Sequence, residues 1–285
     1  MLNDTVIANG YCVGCGACAV PADSPFKITF NVYGQFQAKL NKDRVHKKIT
    51  TNFEKLCPFG DGAPNEDVIA KELFESHCNH NTQVGYYNGV FAGYVSEGKF
   101  RDNGSSGGMG TWVLNELLSQ RYVDHIIHVC PSDMDCQAGD GRLFKYDISE
   151  TVDKTQKGSK SRYYPIELSK VLHTVRTQPG CYAIIGLPCF IKSVRLLQMQ
   201  DPVLQDRIKY CIGLICGHLK SSRYGESLAW QIGVKPTELR SIDFRVKDPS
   251  QPANRYGTSV TGDDGKTHVM PTNELFGTDW GAGAF

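Results

Sequence analysis

Four cysteines near the amino terminus have the types and spacing of a metal-cluster ligand set. Three of them stand three positions apart, and the fourth comes from a remote Cys-Pro pair: Cys12, Cys15, Cys18 and Cys57. Cysteines with two residues between each pair, together with a further cysteine from elsewhere in the chain, are typical thiolate ligands of a cubane iron–sulfur cluster. Gly14 and Gly16 give the short loop the positive φ angles that such a tight curl needs. The four cysteines therefore predict one 4Fe–4S cluster.

Zinc and disulfide bonds match these cysteines less well. Structural zinc usually takes two separated pairs of Cys or His ligands. Disulfides are disfavoured because the chain has 11 cysteines, an odd number, and because cysteines this close pair poorly. Cys130 and Cys136 flank a polar loop and are a candidate second metal site. No motif indicates a role for Cys78.

Composition argues against several classes of partner. The chain has 31 basic and 30 acidic residues and a net charge of +1, which gives no electrostatic case for nucleic acid or an acidic membrane surface. Its first ten residues contain no apolar run of the length of a signal or membrane helix. We therefore expect a cytoplasmic protein without a membrane span, and homo-oligomerisation stays open.

A glycine-rich segment precedes a predicted helix. Its candidate cofactor-binding residues are Gly104, Ser105, Ser106, Gly107 and Gly108. Glycines let the backbone approach a ligand closely, and successive N–H groups at a helix N-terminus favour an anion, typically phosphate. The segment is neither a Walker A loop nor a dinucleotide-binding fingerprint. It predicts phosphate binding, with a glycine-rich turn of no chemical role as the alternative.

Cations and aromatic rings cluster in a second segment. Lys157, Lys160 and Arg162 lie within eight residues of the chain together with Tyr163 and Tyr164. Cations neutralise a diphosphate, and aromatic rings stack on a flat heterocycle. The segment predicts contacts with a bound cofactor, and a solvated basic loop is an alternative of equal weight.

A third candidate segment contains Pro188 and Cys189 and follows the apolar run at 182–186. Ligands of open α/β sheets bind at the carboxyl ends of strands, and a helix N-terminus lowers the pKa of a thiol. The next predicted strand leads to His218 and Lys220, which we expect at the same rim. Cys189, His218 and Lys220 are the candidate catalytic residues, with structural roles as the alternative.

The predicted elements place these segments in two domains. Residues 1–80 are expected to form a small ferredoxin-like 4Fe–4S domain with a hairpin across 28–40. Residues 81–285 alternate strands, the first of them at 90–96, with helices. This alternation predicts an α/β domain. We expect its sheet to be mixed, with flanking helices, and to differ from the classical Rossmann arrangement.

Taken together, these segments resemble the coenzyme F420 hydrogenase/dehydrogenase beta-subunit family. The resemblance rests on the cysteine set, the three segments and the Cys216-Gly-His218 run, and it extends over nearly the whole chain. It implies a flavin-binding α/β domain, incomplete at its C-terminus because family members continue past residue 285 into further cysteines. The residues that it places against FAD are Ser106, Gly107, Lys160, Arg162, Pro188 and Cys189.

The leading hypothesis from this resemblance is an FAD-dependent iron–sulfur oxidoreductase or electron-transfer subunit. It would pass electrons between the 4Fe–4S cluster, the flavin and a substrate or deazaflavin-type coenzyme, because flavin adapts one-electron to two-electron chemistry. The expected partner is a redox protein or a small-molecule electron donor. The runs at 160–164 and 216–221 resemble the polysaccharide-associated bacterial branch more than the methanogen subunits. The alternative is therefore a non-catalytic accessory protein of surface-polysaccharide biosynthesis, with a structural cluster and a bound nucleotide sugar.

Overall fold

The computed structural model describes residues 2–44, 48–132, 142–217, 219–252 and 254–278. Its strands are β1 (Phe26–Phe30), β2 (Phe36–Leu40), β3 (Asn79–Asn81), β4 (Gly85–Tyr87), β5 (His125–Pro131), β6 (Phe144–Ser149), β7 (Tyr182–Gly186), β8 (Ile208–Gly213), β9 (Leu239–Val246), β10 (Gly257–Gly262) and β11 (Thr267–Pro271). Its α-helices are α1 (Phe53–Leu56), α2 (Glu66–Phe74), α3 (Phe100–Asn103), α4 (Met109–Ser119), α5 (Val152–Lys157), α6 (Ser169–Thr177), α7 (Pro188–Gln198), α8 (Pro202–Arg207) and α9 (Ser222–Gln231).

The central sheet has the strand order β6-β5-β7-β8. Strands β5, β7 and β8 are parallel, and β6 pairs antiparallel with β5. Alternate residues of β7 face two different cores: Ile184 lies in the larger core, whereas Ala183 packs with Leu114 of α4. Helices therefore cover both faces of a mixed sheet, and the predicted α/β class is confirmed at this level.

A second sheet, antiparallel in the order β11-β10-β9, follows helix α9 and has no counterpart among the predicted elements. Residues Ile242 and Phe244 of β9 are buried and join the larger core. Their alternation with Asp243 and Arg245 is the period-two signal of a strand, so a closer reading of the sequence would have found it. This sheet contributes charged side chains to the candidate site.

The predicted strand at 90–96 is wrong. The segment has no regular secondary structure, and Val90 and Phe91 are 74% and 94% exposed. Its composition suits a strand, but a strand needs a hydrogen-bonding neighbour, and here the Val95 N–H donates to the Gly107 carbonyl of the glycine-rich segment. The segment therefore lies beside the first candidate loop outside any sheet.

The N-terminal segment forms the predicted hairpin, β1 paired antiparallel with β2. The Leu168 N–H donates to the Cys15 carbonyl at 2.8 Å, and Arg176 Nη1 donates to the Val20 carbonyl at 2.9 Å. The cysteine loop is thus attached to α6 of the larger core. The division at residues 80 and 81 stays a prediction. None of the described helices combines the length and the hydrophobicity that crossing a bilayer requires.

His128 of β5 makes folding stability depend on pH. It is buried, its Nε2 lies 2.8 Å from Ser149 Oγ, and burial lowers its pKa to about 4 although Asp147 opposes the shift. Because the pKa in the unfolded chain is near 6.5, the unfolded state binds a proton at pH 5 that the folded state does not. Lowering the pH from 7.5 to 5 should therefore cost about 2 kcal/mol of stability through this residue.

The measurement is urea unfolding of the wild type, His128→Gln and His173→Gln across that pH range. His173 is an exposed residue of α6 and provides the matched control. We expect the His128→Gln protein to lose less stability on acidification, whereas His173→Gln should follow the wild type. Parallel losses in all three proteins would show that His128 does not carry the effect.

Candidate functional site

The four predicted cluster cysteines line one pocket. Its atom-free space is about 340 Å³, part of it open to solvent, and its other walls are mainly apolar. The apolar side chains include Ile28 and Ala38 of the hairpin and Leu56 at the end of α1. The sequence brings the cysteines here from both sides of the hairpin: Cys12, Cys15, Cys18 and Cys57.

The loop that carries three of these cysteines has the predicted conformation. Gly14 has φ 68° and Gly16 has φ 89°, so the expectation of positive φ angles is confirmed. A side chain at Gly16 would also collide, since a Cβ there would lie 2.6 Å from Glu167 Oε2. The Ala38 N–H of β2 donates to Cys12 Sγ at 3.4 Å. Backbone N–H groups aimed at sulfur favour negatively charged thiolates.

Burial opposes ionisation of these thiols. It raises the pKa of Cys15 to about 12 and raises the pKa values of Cys18 and Cys57, and charges on the neighbouring cysteines add to each effect. Several thiolates can coexist in such an apolar pocket only if cations compensate their charge. Four thiol donors in one pocket therefore fit a multiply charged metal centre.

The arrangement differs from that of a single bound ion. Within the described residues, no three His, Cys, Asp or Glu side chains are placed to hold one metal ion. Zinc with Zn–S bonds of about 2.3 Å in a tetrahedron would need sulfurs within about 3.8 Å of one another. A 4Fe–4S cluster binds each thiolate to a different iron and requires a wider set of donors. The four-thiol pocket is compatible with that wider set.

The first and second candidate segments meet at the start of helix α4. The Ser161 N–H donates to Ser105 Oγ at 2.7 Å, and Thr111 Oγ1 lies 3.2 Å from Ser159 Oγ. Within the glycine-rich segment, Gly104 is buried, whereas Ser106 is exposed to solvent. The structure thus joins two segments that lie about fifty residues apart in the sequence.

Strand β9 adds charged residues that the sequence analysis missed. Lys160 Nζ lies 3.3 Å from Asp243 Oδ2 and donates to the Arg245 carbonyl at 3.3 Å. Lys247 Nζ donates to the Ser106 carbonyl at 2.8 Å and also to the Arg101 carbonyl. Lys247 therefore holds the glycine-rich turn against the β9 sheet. Lys157, by contrast, is exposed at the end of α5.

Positive charge exceeds negative charge around Asp243. Burial lowers the pKa of Arg162, which interacts with Asp243, and burial together with Lys160 and Arg101 lowers the pKa of Lys247. The Nε atoms of Arg162 and Arg245 are buried and have no hydrogen-bond partner among the described residues. Because buried polar groups are nearly always hydrogen-bonded, an anion with several oxygens would complete this cluster.

Three aromatic rings, from Tyr163, Tyr224 and Phe244, pack together near the cations. Tyr163 packs edge-on against Phe244 with centroids 5.5 Å apart, and Tyr224 stacks on Phe244 at 5.9 Å. Lys220 Nζ lies 4.8 Å above the Tyr224 ring. Lys220 is 4% exposed, and its Nζ has no hydrogen-bond partner among the described residues. The structure therefore brings Lys220 close to the second candidate segment, as a buried cation on an aromatic surface.

The third candidate segment lies at the carboxyl ends of β7 and β8, where Pro188 is exposed at the start of α7. The Leu214 N–H donates to the Gly186 carbonyl at 2.8 Å, and Cys189 is close enough to Cys216 for their charges to interact. The predicted lowering of the Cys189 pKa is wrong. Burial and Cys216 raise it, and hydrogen bonds to backbone N–H groups offset only part of that effect. His218 and Cys136 lie outside the described residues.

Lys160 has an unusual backbone conformation with φ 107°. A residue other than glycine in this region is strained, and such strain concentrates at functional sites. Lys160→Gly should therefore be about 1 kcal/mol more stable than Lys160→Ala, because both variants lose the cation and only the alanine keeps the strain. Urea unfolding measures the difference.

The same pair of substitutions at Lys154, inside helix α5, is the matched control. There alanine should be the more stable residue by about 1 kcal/mol. An alanine preference at both positions would contradict backbone strain at Lys160.

Comparison with models of protein families shows which family this chain belongs to. Residues 90–173 match the N-terminal model of the coenzyme F420 hydrogenase/dehydrogenase beta subunit, and residues 180–276 match the C-terminal model. Together the two models cover more than half of the chain. The chain belongs to this family. The family suggested by the sequence motifs is thereby confirmed. The glycine-rich segment and the segment at 157–164 both lie within the region that matches the N-terminal model.

Other comparisons place the beta-subunit family member among known proteins. No curated protein matches the chain. Among solved structures, a chain of the F420-reducing [NiFe] hydrogenase complex from Methanosarcina barkeri, in a xenon-derivatised form, is 15% identical with a TM-score of 0.45. The match includes 64% of this chain and 59% of the hydrogenase chain, so our chain spans less than two thirds of that relative.

Proposed function

We propose that this beta-subunit family member is an FAD-dependent iron–sulfur oxidoreductase or electron-transfer subunit. The observation that carries the proposal is a pair of sites built on one hydrophobic core: a pocket lined by four cysteines and a cation cluster beside a glycine-rich turn. The first has the donors for a redox cluster, and the second has the charge for a diphosphate. Family membership supports the same assignment.

In this proposal the four cysteines hold a 4Fe–4S cluster. Cys15 is the most deeply buried of them, while Cys12, Cys18 and Cys57 are partly exposed. The apolar pocket walls limit the exposure of the sulfurs to water, and the Ala38 N–H stabilises negative charge on Cys12. Such a cluster supplies one-electron transfer when it is bound.

The cation cluster would hold the diphosphate of FAD. Gly104, Gly107 and Gly108 allow close approach of the backbone, and the Ser105 and Ser106 hydroxyls add polar groups. Lys160, Arg162 and Arg245 would neutralise phosphate oxygens, and Tyr163 would lie beside the flat ring system. FAD supplies the adapter between one-electron and two-electron chemistry when it is bound.

The substrate is proposed to reach the flavin at the strand ends. Cys189 at the start of α7 is the described candidate there; the buried Lys220, beside the second segment, and His218 are the other two candidate catalytic residues. Lys220 would hold a negative charge of the substrate or cofactor, because its ammonium group is buried without an anionic partner among the described residues. The acceptor class, a deazaflavin-type coenzyme or another small molecule, belongs to the same proposal.

The deciding experiment is a visible spectrum of anaerobically purified protein before and after dithionite, with iron, sulfide and flavin determined on the same sample. Four iron, four sulfide and one FAD per chain, with both absorptions bleaching on reduction, would support the proposal. A chain that binds zinc alone after anaerobic reconstitution would contradict it.

A non-catalytic accessory role in surface-polysaccharide biosynthesis is the second candidate function. It is favoured by the cation cluster itself, because the diphosphate of a nucleotide sugar offers the same oxygens as that of FAD. The two differ in flavin content: a cluster without flavin, together with nucleotide-sugar binding, would favour the accessory role. In the redox proposal the partner is a redox protein or a small-molecule electron donor, and we propose a cytoplasmic location.

A further inference from the structure

One face of the β1–β2 hairpin carries two lysines directly opposite each other. The strand register pairs Lys27 of β1 with Lys39 of β2, and both side chains are exposed. Like charges directly opposite each other on one face of a sheet are destabilising. Neither lysine has an ion-pair partner among the described residues. The pair therefore lowers the stability of the hairpin, and no ion pair in the described part of the chain compensates for it.

Further positive charge lies at the same end of the hairpin. After β2 the Asn41 N–H donates to the Pro25 carbonyl at 2.7 Å, which keeps the following short helical turn, Lys42–Arg44, beside the start of β1. Both cations of this turn are exposed. Residues 23–44 thus contain four cations, two from the strands and two from the turn, against the two carboxylates of Asp23 and Asp43. This end of the hairpin is therefore positively charged, although the whole chain has a net charge of only +1.

The opposite face of the same hairpin forms a wall of the cysteine pocket. Side chains alternate between the two faces of a strand, so the lysines point away from Ile28 and Ala38, which line the pocket. The Ala38 N–H donates to Cys12 Sγ at 3.4 Å. Lys39 is the next residue of β2, and its Cα lies about 3.8 Å from that of Ala38. Only the backbone of one strand therefore separates the lysine face from a cluster cysteine.

We propose that this basic face, formed by Lys27, Lys39 and the Lys42–Arg44 turn, is the docking surface for a redox protein with an acidic surface. The proposal rests on the proposed function because it requires the bound 4Fe–4S cluster. One electron passes between the partner's redox centre and the cluster, so one centre is oxidised and the other reduced, and no bond forms or breaks. Opposite charges on two proteins raise their association rate about 10- to 1000-fold at low salt. Carboxylates of the partner would also relieve the repulsion between the two lysines.

The test measures electron transfer from a reduced, acidic plant-type [2Fe–2S] ferredoxin, used as the probe, to the reconstituted holoprotein by anaerobic stopped-flow absorbance. At an ionic strength of about 0.01 M, the double variant Lys27→Gln/Lys39→Gln should react about tenfold more slowly than the wild type. The difference should vanish near 1 M salt, where the Debye length is only about 3 Å. The variant should unfold at the same or a higher urea concentration, because it lacks the repulsion between the lysines.

Lys154→Gln/Lys266→Gln is the matched control. It removes two exposed lysines from helix α5 and from the turn between β10 and β11, so the change in net charge is the same. Its rate should stay at the wild-type value. Carbodiimide cross-linking, which joins a carboxylate to an amine, gives a second readout that does not depend on the cluster. Mass spectrometry should find the ferredoxin linked to Lys27 or Lys39 of the wild type.

Equal low-salt rates for the wild type and the Lys27→Gln/Lys39→Gln protein, with equal iron content, would overturn the docking surface. An equal loss of rate in both double variants would do the same, because net charge alone would then explain it. Binding of anionic vesicles or duplex DNA through these lysines, without an effect on the ferredoxin reaction, would assign the face to another class of partner. A wild-type protein that holds no cluster after reconstitution would instead refute the proposed function, so the failures are distinguishable.

Discussion

Replacing Cys15 with alanine is expected to reduce bound iron from four atoms per chain to nearly none. Cys15 is the most deeply buried of the four, and no other described thiol lines the pocket to substitute for it. The remaining three thiols would have to ionise in an apolar pocket with one iron left without a protein ligand. Iron and sulfide per chain after anaerobic reconstitution, together with the visible spectrum, measure the loss.

Cys211→Ala is the control for this experiment. Cys211 lies in β8, is partly buried against the same core and takes no part in the pocket. Its removal should lower folding stability slightly and leave iron content unchanged. Full iron in the Cys15→Ala protein, or equal loss in the two variants, would remove the cysteine pocket as the cluster site.

The second large effect is expected at Arg162. Replacing it with glutamine should weaken binding of FAD by about tenfold to a hundredfold, the range for losing a hydrogen bond to a charged group. Arg162 is half-buried, and its guanidinium lies 4.8 Å from the centroid of the Phe144 ring. Its Nε is buried near Asp243 and has no hydrogen-bond partner among the described residues. Flavin affinity of the deflavinated protein, measured by fluorescence titration, gives the change.

Lys154→Gln removes the same charge from the exposed side of helix α5 and should leave flavin affinity unchanged. Thermal unfolding of both proteins without flavin separates lost binding from lost folding. Equal affinities in the two variants would show that the cation cluster does not hold the flavin. Such a result would favour a protein that binds the iron–sulfur cluster without a flavin.

These two changes should also act independently. Cys15→Ala removes a ligand from one pocket, whereas Arg162→Gln removes a cation near β9, and the two sites use different side chains. Flavin content should therefore persist in the cysteine variant, and iron content should persist in the arginine variant. Loss of both cofactors in either protein would indicate a folding defect.

Local features of this protein could be predicted from the sequence because their physical causes act over a few residues. The cysteine spacing and the positive φ angles of Gly14 and Gly16 belong to one short loop. The Asn65 side chain caps α2 by accepting from the Val68 N–H, as capping preferences predict. The strand–helix alternation that indicates the α/β class depends on equally local periodicity.

Tertiary structure alone decided which distant residues share a site. Lys247 reaches the Ser106 carbonyl and Asp243 reaches Lys160, and no local pattern records either of these neighbours. The segment at 90–96 lacks a strand because no partner strand is available, and Cys189 has a raised pKa because burial outweighs its helix N-terminus. Pairing, burial and charge clustering depend on contacts between remote segments, which form only when the whole core packs.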